Sequence, residues 1–479
     1  MMGKEIRVGL SYNDVLLVPK KSRSVSRREI DTTTTIAKGV VLNIPFIPAN
    51  MDTVSEHAMA IAIAREGGIG IIHRFMDIER EAGQIRKVKR AEGYVIENPY
   101  SIGPDYTIEE AKEQMARNEI SGFLVVDKQN KLLGVLSHRD IMFTLHDKKR
   151  VKEEMTPRSR LIVGYPGMER NGALDLLKKH KIEKLPLVDK DNVVKGLITS
   201  KDLHSHVSNK MSAKDKKGRL LVGGATGVKG DYIERAVALQ DAEADIVVLD
   251  VAHGHSDSVI EAVRKLKKEL DIPLIVGNVA TKEAVNDLAS AGADCIKVGI
   301  GPGAACTTRL VTGAGMPQLT AIMDCYEASS KQKIPLIADG GIKDSGDITK
   351  ALAAGAGAVM FGSLFAGTDE SPGYFVRRNG VKYKAYRGMA SLGANVSRRK
   401  LDNMDIDPDE LAQIVPEGVE SSVPYRGSVK EVVSQLIGGL RSGMSYCGAT
   451  NLEELRKNAE FIMLTQSGAA ESYNKLQPS

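Results

Sequence analysis

The chain has 479 residues, 42% of them hydrophobic, which is enough for two or more domains with a large buried core. Its 66 Lys+Arg against 61 Asp+Glu leave +5, too mild over this length to mark a nucleic-acid surface, and aromatics are only 4% with no Trp, so the core must be aliphatic. Four cysteines without CxxC or His-rich spacing exclude a metal ribbon and a disulfide framework, and predict free thiols in a reducing compartment.

The N-terminal "MMGKEIRVGLSYNDVLLVPKK" lacks the apolar core of a signal peptide, and no apolar run reaches the ~18 residues of a membrane helix. A soluble, cytoplasmic protein with no membrane partner is expected. Residues 40–75 then give two strands, "IPFIPANM" and "GIGIIH", around a helix. From about residue 220, β-branched runs alternate with helical stretches. The strands are "DIVVLD" (245–250), "PLIVGN" (273–278), "CIKVGI" (295–300), "PLIADGG" (335–341) and "AVMFGS" (358–363). Such alternation predicts parallel strands covered on both faces. The two blocks together make about eight βα units, the number of a closed (β/α)₈ TIM barrel; an open doubly wound sheet is the alternative. The barrel is assigned residues 1–92 and 214–479.

Between them, residues 93–213 contain a repeat. "SGFLVVDKQNKLLGVLSHRDI" (121–141) matches "EKLPLVDKDNVVKGLITSKDL" (183–203), with Gly134 and Gly196 in equivalent places and an amphipathic helix before each copy. The pattern resembles a tandem CBS pair. That resemblance implies adenine or guanine nucleotides between the modules, with Asp140 and Asp202 where the ribose-binding Asp falls; an ion-paired helix cap is the plainer reading.

Barrel chemistry sits on the loops at the C-terminal ends of the strands. "ADGGIKDSGD" places Asp339 at a strand end before Gly340 and Gly341, and "MFGSLFAG" places Gly362 and Ser363 at the next. Two such loops suit a phosphate, because backbone N–H groups approach an anion closely where no Cβ intervenes. Asp339 then suits ribose hydroxyls; two tight turns are the alternative. "LDVAHGHS" supplies Asp250, His253, His255 and Ser256, and "GNVAT" supplies Asn278. The histidines suggest metal, but no third ligand is evident. The loop "KVGIGPGAACTTRLVTGAG" (297–315) sets Cys306 among backbone N–H groups and beside Arg309. That setting lowers a thiol pKa and makes a nucleophile, while the carbonyls of Gly301 and Gly303 suit a monovalent cation. A buried, inert cysteine is the alternative. Lys297 on the preceding strand is open to two readings, a Schiff-base lysine or a paired strand lysine.

"GLSYNDVLLVP", "ANMDTVSE", "GGIGIIH", "RLLVGGATGV", "DVAHGHS", "GNVAT", "KVGIGPGAACTTR", "ADGGIKDSGD" and "YRGMASLGA" occur in that order, and together they resemble the IMP dehydrogenase/GMP reductase family over nearly the whole chain. The resemblance implies a cysteine thiolate bonded to purine C2 and a nicotinamide cofactor that exchanges hydride there. Carried over motif by motif, Cys306 is the nucleophile, Thr308 its partner hydroxyl, and Glu417 lies near the base as a further catalytic group. Asn50, Met51, Asp339, Gly340, Gly341, Gly362, Ser363, Tyr386, Gly388 and Met389 hold the nucleotide, IMP or GMP. Asp250, Ser256, Asn278, Gly299, Gly301 and Arg309 face the cofactor. Carbonyls of Gly301, Gly303 and Cys306 hold a potassium-like cation. A homotetramer, or an octamer through the CBS modules, is implied as well.

The chain departs from the family pattern at Ala304, where a phosphate-binding Ser is usual, so one hydrogen bond of about 1 kcal/mol is missing. The dehydrogenases also carry an Arg-Tyr pair on a flap, and no Tyr occurs here between Tyr386 and Tyr425, although Arg398 and Arg399 are present. Asn50 and "IIHRF", with Arg74, resemble the reductases, whereas Leu392 stands where small reductases carry a catalytic Glu. The CBS insert and "GGLRSGMSYCGA" look dehydrogenase-like. On balance the residues favour NADPH-dependent reduction of GMP to IMP and ammonia over NAD-dependent oxidation of IMP.

Overall fold

Each barrel strand is short, β-branched and apolar at alternate positions, which turns one set of side chains inward and the other against the helices. In this computed structural model, residues 6–471 are described apart from 23–25, 92–94, 97–98, 119, 143–147, 201–202, 204–210 and 402–414. Contacts divide the chain into two compact units, residues 1–89 with 209–479, and residues 90–208.

The first unit contains eight parallel strands: β1 (Phe46–Pro48), β2 (Gly70–Ile72), β3 (Val222–Thr226), β4 (Ile246–Asp250), β5 (Leu274–Val279), β6 (Cys295–Val298), β7 (Leu336–Asp339) and β8 (Ala358–Phe361). Their order is β1-β8-β7-β6-β5-β4-β3-β2. The barrel is nearly closed: β1 and β2 share no ladder, but the Ile69 N–H donates to Phe46 O at 3.4 Å. The eighth strand, β3, is the one that propensity hides, because its sequence VGGAT carries two glycines. The space for side chains there is taken by neighbours: a Cβ on Gly223 would lie 2.6 Å from Ile246 Cγ1.

Helices fill the crossovers, and their ends are written in the sequence. Lys282–Ala291 starts at Thr281, whose hydroxyl accepts from the Ala284 N–H, and stops at Gly292 in the left-handed region. Asp257–Glu269 buries Val259, Ala262, Val263 and Leu266, an i, i+3, i+4, i+7 stripe. Inside the barrel, Ile47, Ile71, Ala225, Val248, Ile275, Cys295, Ile337 and Met360 make one aliphatic core. Among the described residues no helix is long and apolar enough to cross a membrane.

The second unit shows its repeat in backbone terms. Gly122–Val126 pairs antiparallel with Leu132–Ser137, and Lys184–Val188 pairs antiparallel with Val194–Thr199. Gly134 faces Val125 and Gly196 faces Leu187, the same step of each hairpin, and each ladder shifts register at that point. The turns match too, with Asn130 and Asn192 both at positive φ. The Asp140 carboxylate accepts from the Ser137 N–H and hydroxyl at 2.7 and 2.6 Å, a helix cap. Asp202 lies outside the described residues.

Candidate active site

Period-two alternation decides what crowns the barrel core. Val248 faces inward, so Asp250 two residues on does too; the same step leads from Cys295 to Lys297 and from Ile337 to Asp339. These three polar residues end their strands at the floor of a cavity of about 410 Å³. Lys297 Nζ lies 2.8 Å from Asp250 and 2.7 Å from Asp339. Asn50, after β1, donates to the other Asp250 oxygen at 3.0 Å, and Asn278 donates to Asp339 at 2.9 Å. Burial alone would raise the Asp250 carboxyl, but the Lys297 ammonium, with Arg74 and Asn50, holds it below the ordinary carboxylate range. Burial opposes the Lys297 charge as well, yet its two carboxylates keep it above the ordinary lysine value. A lysine so held stays protonated, which rules out the Schiff-base reading.

Cys306 opens onto the same cavity from the loop after β6. Its thiol meets the Thr308 hydroxyl at 3.2 Å. The loop reaches this course through Gly299, at φ +153°, where a Cβ would stand 2.1 Å from Asp339 O, so only glycine passes. Two later segments lace it down. The Thr307 N–H donates to Glu417 O at 2.9 Å and the Val419 N–H to Ala305 O at 3.0 Å, while Cys306 and Gly418 form an antiparallel bridge. The Gly388 N–H in turn donates to Val419 O, and that of Glu417 to Ala390 O.

The structure therefore brings together Cys306, Thr308 and Glu417 with Asn50, Met51 and Asp339 around one cavity, and Gly340, Tyr386, Gly388 and Met389 join the same wall. Asp250, Asn278, Gly299, Gly301 and Gly303 line it too. Gly362 is set just behind: a Cβ there would come within 2.6 Å of Tyr386 Oη and 3.2 Å of Met51 Sδ. Gly341 packs beside Pro302 and Tyr12, and Ser363 begins the short helix Ser363–Ala366. Burial, then the charges of Asp339 and Cys306, push the Tyr386 phenol up, so it is a protonated donor.

Two residues expected to face the cofactor do not line this cavity. Arg309 folds back along its own loop, and its guanidinium donates to Ile300 O at 3.3 Å and to Met316 O. Ser256 caps the helix Asp257–Glu269 beside Ser258 Oγ at 3.1 Å. His255 pairs with Asp287 at 2.9 Å, and among the described residues no cluster of three or more His, Cys, Asp or Glu could hold a metal. The side chains of Arg398 and Arg399, and nearly all of "PDELAQIV", lie outside the described residues. Phe75, Val251 and Pro302 also line the cavity, inside motifs that were read for their neighbours. Val251 directly follows a strand end and Pro302 a motif glycine, which is the signal that could have found them.

The model of the IMP dehydrogenase / GMP reductase domain matches residues 9–475. The chain belongs to the IMP dehydrogenase/GMP reductase family. It is 49% identical over 470 residues to the inosine-5'-monophosphate dehydrogenase of Nitrosopumilus maritimus, covering 98% of each chain. It is 50% identical over 464 residues to that of Helicobacter pylori, covering 97% of this chain and 95% of that one. Among solved structures, GMP reductase from Trypanosoma brucei in complex with guanosine 5'-monophosphate superposes with TM-score 0.87 at 42% identity, covering 99% of both chains. The same enzyme in complex with guanosine 5'-triphosphate gives TM-score 0.76 at 38% identity, covering 96% and 98%. The chain is thus a purine nucleotide oxidoreductase of a family that uses nicotinamide cofactors.

Proposed function

We propose that this chain oxidises IMP to xanthosine monophosphate, with Cys306 as the nucleophile. The Cys306 thiol, beside Thr308 and facing Asp339 across one cavity, carries the covalent part of the reading. The direction rests on relatives 46–50% identical over nearly their whole length, all of them inosine-5'-monophosphate dehydrogenases. They favour oxidation over the reduction that the residues alone suggested.

In this reading Asp339 accepts from the ribose hydroxyls, while Gly341, Gly362, Ser363 and the Tyr386 hydroxyl hold the 5'-phosphate. Cys306 bonds to purine C2, Glu417 meets the base, and Thr308 holds a hydrogen bond beside the reacting carbon. Asp250 and Asn278 would hold NAD, which would supply the acceptor for the hydride at C2. Water then cleaves the C2–S bond, giving the 2-oxo product and the free thiol. The carbonyls of Gly301, Gly303 and Cys306 would hold a monovalent cation; Gly303 O already accepts the Cys306 N–H at 3.0 Å, a carbonyl with one lone pair to spare. The insert at 93–213 is read as a CBS pair that takes a purine nucleotide.

A second reading, NADPH-dependent reduction of GMP, is favoured by two observations. No tyrosine stands between Tyr386 and Tyr425, and Asn50 bonds Asp250. One two-way assay separates them. NAD⁺ reduction with IMP is the expected result; NADPH oxidation with GMP and ammonia release in its place would reverse the direction. Activity in neither arm would overturn the nucleophile assignment.

A further inference from the structure

The reading above leaves one buried charge without a task. Lys297 is 2% exposed, and its ammonium lies between two carboxylates that are 89 residues apart in sequence, Asp250 and Asp339. Those carboxylates lie at the two ends assigned to cofactor and nucleotide. We propose that Lys297 is a positioning residue for both ends of the cavity: one buried ammonium keeps the Asp250 and Asp339 carboxyl groups fixed in place, so that each accepts hydroxyl donors from a different ribose.

Asp250, Lys297 and Asp339 then form one ion-paired floor, with carboxylate oxygens left as acceptors for hydroxyl groups. Every group facing it fits that reading. Asp250 meets Lys297, Asn50 and the charge of Arg74. Asp339 meets Lys297 and Asn278 through one oxygen, which leaves the other oxygen for a ligand. Burial keeps both the Tyr12 and Tyr386 phenols protonated, followed by the charges of Asp347 and then Asp339 for Tyr12 and by that of Asp339 for Tyr386. Lys297 is the one cation bonded to both acids among the described residues.

The inference rests on the proposed function, and the test keeps the two apart. Lys297→Met and Lys297→Arg full-length proteins are assayed for KM of IMP and of NAD⁺ from acidic to alkaline pH. In the Met variant both KM values rise about tenfold or more near neutral pH, and the acidic limb of the NAD⁺ profile, set by Asp250, moves up in pH. In alkaline buffer kcat at saturation stays within about threefold, since Lys297 touches no reacting atom. Arg brings both KM values most of the way back. A change in one KM alone, or a loss that pH does not move, overturns the proposal.

If the Met variant does not fold, Lys297→Gln, which keeps a polar donor without the charge, decides: both KM values rise together, and KM values that do not move overturn the proposal. A wild-type chain inactive in both directions fails the functional reading instead, whereas an active wild type with the wrong KM pattern fails only this inference.

Discussion

Cys306 and Ala304 occupy one loop and predict opposite kinds of defect. Replacing Cys306 by Ala removes the one thiol that lines the cavity among the described residues, so turnover falls by roughly a thousandfold or more. Nucleotide binding by calorimetry stays within about threefold, because the ribose and phosphate contacts are elsewhere. Ala304→Ser restores a hydroxyl to the loop. One added hydrogen bond, net about 1 kcal/mol, tightens IMP about fivefold and leaves inosine, which has no phosphate, unchanged; equal gains for both would place the hydroxyl off the phosphate. The placement of Cys306 and Asp339 on one cavity was legible because both stand on glycine-rich loops at strand ends. That Arg309 and Ser256 do not line it was not, because a motif fixes the backbone while their side chains turned to local carbonyls and a helix N-terminus. The union of Lys297 with two acids was half legible: alternation turns all three inward, but their spacing is set by barrel stagger, which no single strand encodes.

Among the elements, the strand Val381–Arg387 does more than present Tyr386. Its Lys384 is fully buried and donates to Ser371 O at 2.6 Å, Thr368 O at 2.8 Å and Asp369 O at 3.4 Å. Burial lowers its pKa, with Asp369 and Glu370 opposing. Lys384→Met leaves those carbonyls unpaired and costs about 2–4 kcal/mol, measured as a drop in the denaturation midpoint. Gly299→Ala acts differently. Its Cβ collides with the Asp339 backbone, so nucleotide KM rises by at least about tenfold, as a misplaced contact group demands. The βα alternation made seven strands readable; β3 escaped because tertiary packing selected glycines that propensity counts against a strand.

For the molecule as a whole, the crossover after β2 is where the chain leaves the barrel unit and later re-enters it. Lys89, at the end of the helix Ile78–Arg90, is 4% exposed and bonds Asp245 at 2.7 Å, Asp215 at 3.0 Å and Leu220 O at 3.1 Å. This buried cluster ties the two points of departure and return together within the barrel. Lys89→Met strands two carboxylates and costs the barrel unit about 3–5 kcal/mol. Calorimetry should show that unit's transition lowered and the transition of residues 90–208 unmoved; a parallel shift of both would mean that they unfold as one.

The lacing of the cysteine loop has a consequence in time. Cys306 is held by partners at Glu417, Gly418 and Val419, which the ribosome adds long after the cysteine itself. Up to that point a nascent barrel carries Cys306, the proposed nucleophile, on a loop that lacks these three partners. Chains truncated anywhere before Val419 should therefore be born silent.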